Sequence, residues 1–136
     1  MAEFVGLALN ASVNIIKTCD YILTKIGDAK LASEALEQFA SRLQGFALLV
    51  ELLRGRLTGE SPTRTSQVQV DKPLLDILVD ADKSLEHMSE LVVNEFLQSQ
   101  NTVAKYTLAT SRLRKIELWN GNLEGWTQIL NIHVNM

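Results

Sequence analysis

Cys19, His87 and His133 are the residues from which a nucleophile or a metal site would first be built, and their spacing provides neither. A reactive thiolate needs an electropositive, partly open setting. Cys19 instead falls on an apolar three-four seam, the position of a core residue. The two histidines stand on different segments with no HxxxH or CxxC neighbour, whereas a structural zinc takes about four ligands. No metal site is expected.

Carboxylates are the next source of chemistry. Asp71, Asp76, Asp80, Asp82, Glu86, Glu90 and Glu95 face only Lys72 and Lys83 across residues 71–95, a net charge of −5. Asp76 and Asp80 are four apart, as are Asp82, Glu86 and Glu90, so each set shares a helix face. Bundle metal sites pair Glu with an inward His at i, i+3, which is lacking here. These acids alternate with an apolar seam and read as a solvated outer face. There is no Gly-rich phosphate loop, no GxSxG and no HExxH, so neither an enzyme nor a cofactor is expected.

The basic residues gather elsewhere. Arg54, Arg56 and Arg64 lie around the end of the second helical stretch, and Arg112, Arg114 and Lys115 open the last one. Either group is a candidate for anionic lipid headgroups, at about 1 kcal/mol per residue near the surface. Arg54 and Arg56 also complement a helix C-terminus, an ordinary structural role. The overall charge of −3 argues against nucleic acid, which demands an excess of Lys and Arg.

The elements that must hold these residues are helices. With 46% apolar and 21% charged residues, two prolines and a length of 136, the chain is suited to one all-α domain over residues 1–136. A single cysteine permits no internal disulfide, which fits a reducing, cytoplasmic setting. Leu36, Phe39, Leu43, Phe46, Val50, Leu53 and Leu57 step by three and four without a miss, marking a spine about 33 Å long.

A first helix is expected over residues 2–26, with Gly27 as its stop and Asp28 capping the spine directly after it. Val5, Ala8, Ser12, Ile15, Cys19, Ile22 and Ile26 form its seam, and Leu9, Val13, Ile16 and Leu23 widen it. Its first four turns are apolar or small nearly all round, which requires burial or another apolar medium. The uncharged run Phe4 to Ile16 spans 13 residues, short of the ~20 of a simple membrane span. Glu3 stands where a secretory leader would be basic.

Gly59 closes the spine, residues 60–70 read as a polar loop, and Asp71 with Pro73 opens a third helix reaching about residue 98. Its seam is Leu74, Leu78, Ala81, Leu85, Met88 and Val92. One short extra helix is expected near 103–109, capped by Thr102, with a packed connector as the alternative. The last helix carries Ile116, Trp119, Leu123, Trp126 and Leu130, with Ser111 as its cap. The two tryptophans read as core. Gly121 and Gly125 match the small-xxx-small spacing of closely packed helices, a pattern of low specificity outside membranes. These elements make an antiparallel bundle of four long helices, and the ending IHVNM reads as a cut at a domain edge.

An acidic start, a near-uncharged first helix (MAEFVGLALNASVNIIKTCDYI), a Leu-rich second helix (LQGFALLVELLRGRL) and a polar loop form a familiar layout. Two further helices with Leu and Trp spacing complete it. It resembles the HeLo-like N-terminal domains of fungal STAND-type NTPase receptors. That resemblance implies a signalling domain at the head of a larger protein, acting in programmed cell death, allorecognition and innate immunity. It further implies that oligomerisation frees the first helix to enter a membrane to which the protein is recruited. By position, the inserting residues would be Phe4, Val5, Leu7, Leu9, Val13, Ile15 and Ile16. Lys17 and Asp20 limit that segment, so insertion would be interfacial or through an oligomeric pore.

Two functions are therefore carried forward. One is this membrane-acting effector, with lipid as partner. The other is a non-lytic helical module for self-association or for binding other protein domains, with the first helix as permanent core.

Overall fold

In the computed structural model, residues 2–28, 34–58, 70–96 and 109–135 are described. They form an all-α antiparallel bundle of four long helices: α1 (Ala2–Asp28), α2 (Glu34–Thr58), α3 (Lys72–Leu91) and α4 (Ala109–Asn135). One short extra segment, a π-helical turn over Val92–Phe96, continues α3.

The seams read from the sequence are the core. Leu36, Phe39, Leu43, Phe46, Val50 and Leu53 of α2 are buried, as are Leu74, Leu78, Ala81, Leu85 and Met88 of α3. The predicted α4 seam, Ile116 to Leu130, is buried throughout. Asp71 caps α3 as expected: its carboxylate accepts the Leu74 N–H at 3.0 Å, and Pro73 occupies the first turn.

Several boundaries differ. α1 continues through Gly27 to Asp28, so Asp28 ends α1 and does not cap α2, which begins at Glu34. Gly27 adopts no left-handed backbone conformation, the feature by which a glycine terminates a helix. α3 leaves α-helical geometry after Leu91 for the π turn over Val92–Phe96, and the expected end near residue 98 lies outside the described residues. Ser111 lies inside the first turn of α4 and is not its cap. Gly59, the 60–70 loop apart from Val70, and the expected helix near 103–109 up to residue 108 lie outside the described residues.

The direction of the neighbours follows from two aromatic pairs. Phe39 packs on Trp119 with centroids 5.4 Å apart, and Phe46 on Trp126 at 5.7 Å. Both helices advance seven residues between these contacts, so α2 and α4 lie side by side and parallel. At the far end of α4, His133 Nε2 comes within 3.7 Å of Asp71 Oδ1, at the start of α3. Successive helices therefore alternate in direction. α1 packs along α2 and α3, α2 along α4, and α3 meets α4 more sparsely, while the diagonal pairs α1–α4 and α2–α3 barely touch among the described residues.

This arrangement exposes an internal repetition. Leu36-Glu37, Phe39 and Leu43-Gln44-Gly45-Phe46 of α2 match Ile116-Glu117, Trp119 and Leu123-Glu124-Gly125-Trp126 of α4 at the same spacing. Six of the seven buried positions of α1 (Ala8, Ser12, Ile15, Cys19, Ile22, Ile26, with Ala11 the exception) recur on α3 and its π turn as Leu74, Leu78, Ala81, Leu85, Met88 and Val92. The bundle is two helical hairpins of one pattern, placed so that like helices lie together.

Candidate functional surface

The residues expected to enter a membrane divide by burial. Ile15 is fully buried, Phe4, Val5 and Ile16 pack against the core, and Leu9 and Val13 are half-buried. Leu7, at 54% exposure, alone projects outward. α1 thus has one buried face, built from Ala8, Ala11, Ile15, Cys19, Ile22 and Ile26. Ser12, the polar residue of that face, donates its hydroxyl to the Ala8 carbonyl at 2.7 Å and leaves nothing unpaired. Burial of each of the three isoleucines is worth about 1.5–3 kcal/mol, against a typical domain stability of about 5–15 kcal/mol. Withdrawing α1 would dismantle the core.

Cys19 is fully buried, and burial, with Asp20 adding to it, pushes its thiol up to about 12. It is a packing residue without a thiolate at ordinary pH. His87 is exposed on α3 and His133 half-buried on α4, where Nδ1 lies 2.9 Å from the Ile129 carbonyl. No group of three potential metal ligands occurs among the described residues. Asp76, Asp80, Glu86 and Glu90 are exposed, as the alternation predicts. Asp82 departs from it: the residue is half-buried, and its Oδ1 has no hydrogen-bond partner, nor does Oδ1 of Asn120 on α4.

The two basic groups are not brought together. Because α2 and α4 are parallel, Arg54 and Arg56 sit at one end of the pair, and Arg114 and Lys115 at the other, about 30 Å away. Arg54 forks onto Glu51 through Nε at 3.1 Å and Nη2 at 2.5 Å. That hydrogen bond lowers the Glu51 carboxyl from its usual value, opposed by desolvation and aided by the Arg54 charge. Arg64 and the Arg112 side chain lie outside the described residues.

A different surface stands out. α2 and α4 each carry a second three-four seam on the outside. On α2 it runs Ser41, Gly45, Leu48, Leu52, Gly55, and on α4 Leu118, Asn122, Gly125, Ile129, Ile132. Neither contains a charge. Leu48, Leu52, Leu118 and Ile132 are 59–66% exposed. The outer positions of α1 and α3 are mixed, with Lys17 and Asp20 beside exposed Leu7 and Tyr21 on one and Asp76, Lys83 and Glu86 beside exposed Val79 on the other. A β-carbon at Gly45, Gly55, Gly121 or Gly125 would meet nothing within 4 Å. These glycines weaken the helices by about 1 kcal/mol each, and no packing inside the chain requires them. The exposed seams were missed in the sequence because the buried seam on each helix is stronger; their signal is the uncharged run at heptad spacing.

No family model matches the chain, and neither the curated proteins nor the solved structures include a match. Nothing supports membership among HeLo-like or STAND proteins. No described helix is long and apolar enough to cross a membrane. Together with the burial of Ile15 and its neighbours, these findings correct the expectation of a cell-death effector that inserts its first helix. The associated terms of allorecognition, innate immunity and membrane targeting fall with it.

Proposed function

We propose that this chain is a non-lytic helical interaction module, acting as a folded bundle with α1 as permanent core and the outer faces of α2 and α4 as its binding surface. The observation that carries the reading is the pair of uncharged, exposed three-four seams on those two helices. Such seams are what a helix presents to another helix, with apolar knobs entering the spaces between side chains opposite. Heptad spacing and an absence of charge support a helical protein partner over a small ligand or a headgroup.

The test is hydrogen exchange of α1 amides with and without anionic liposomes, with dye release followed in parallel. A module of this kind keeps its α1 amides protected and its liposomes sealed. Loss of α1 protection accompanied by leakage would overturn the reading.

A further inference from the structure

We draw no further inference here: the strongest candidate, the pair of solvent-shielded Oδ1 atoms of Asp82 on α3 and Asn120 on α4 that have no hydrogen-bond partner, carries no site, because Asn120 stands about 140° round α4 from His133, the residue that reaches the start of α3, and nothing in the structure brings the two oxygens together.

Discussion

Phe46 and Trp126 meet with ring centroids 5.7 Å apart and planes tilted by 42°, one heptad along from Phe39 and Trp119. Corresponding residues of the two hairpins thus touch one another, and the repetition in the sequence becomes a contact in the fold. Phe46 is 1% and Trp126 8% exposed, so neither can be truncated cheaply. Phe46→Ala should lower stability by about 3–5 kcal/mol in urea unfolding. A double-mutant cycle with Trp126→Ala should return about 0.5–1.5 kcal/mol of coupling, the size of an aromatic pair beyond its area. A coupling of zero would mean that the rings merely lie near each other.

Asp71 serves two elements at once. Its Oδ1 accepts the Leu74 N–H at the start of α3 and lies 3.7 Å from His133 Nε2 at the end of α4. Asp71→Ala removes both contacts and should cost about 1 kcal/mol, the usual value of a helix cap. Asp71→Asn keeps the capping oxygen and should recover most of it. Equal losses for Ala and Asn would move the weight from the cap to the charge facing His133.

The role of α1 as core is tested by two residues eight apart. Ile15 is fully buried and Leu7 is 54% exposed. Ile15→Asp places an unpaired charge in the core and should lose more than about 4 kcal/mol, enough to unfold many domains. Leu7→Asp should change stability by less than about 1 kcal/mol. A helix held only loosely against the bundle would tolerate both changes in thermal melts.

The sequence carried the four buried seams because three-four spacing is a direct image of a helix face, and Leu36 to Leu53 shows it without interruption. The cap at Asp71 was equally legible, since an Asp two residues ahead of Pro73 and just before an apolar period marks a helix start. Gly27 and Asp28 misled because a glycine followed by an acid matches both a stop and a start, and only the backbone decides. The burial of α1 was ambiguous for a related reason: Leu7, Leu9, Val13 and Ile16 surround the seam, and composition cannot say which of them a neighbour covers. The hairpin repetition was hidden by Phe39 and Phe46 being replaced by Trp119 and Trp126, and by connections of different length. The outer seams on α2 and α4 became visible only once exposure separated Leu48 and Leu52 from Val50 and Leu53.

Cys19 offers a prediction in pH. Its thiol is raised from an ordinary 9.0 to about 12, chiefly by burial and secondarily by Asp20. The folded state therefore holds the proton more tightly than the unfolded chain. Protonated Cys19 contributes its full stability below about pH 9, and that contribution is lost as the pH climbs from there toward 12. Tyrosines and lysines titrate in the same range, so the comparison must be with Cys19→Ala. The alanine variant should be less stable near neutral pH, since a small cavity replaces a buried sulfur, yet its stability should fall less steeply above pH 9. In native protein the thiol should resist an exposed-thiol reagent until the chain is unfolded with urea. Parallel alkaline slopes for the two proteins, or rapid native labelling, would place Cys19 at a site that opens to solvent and not in the α1 core.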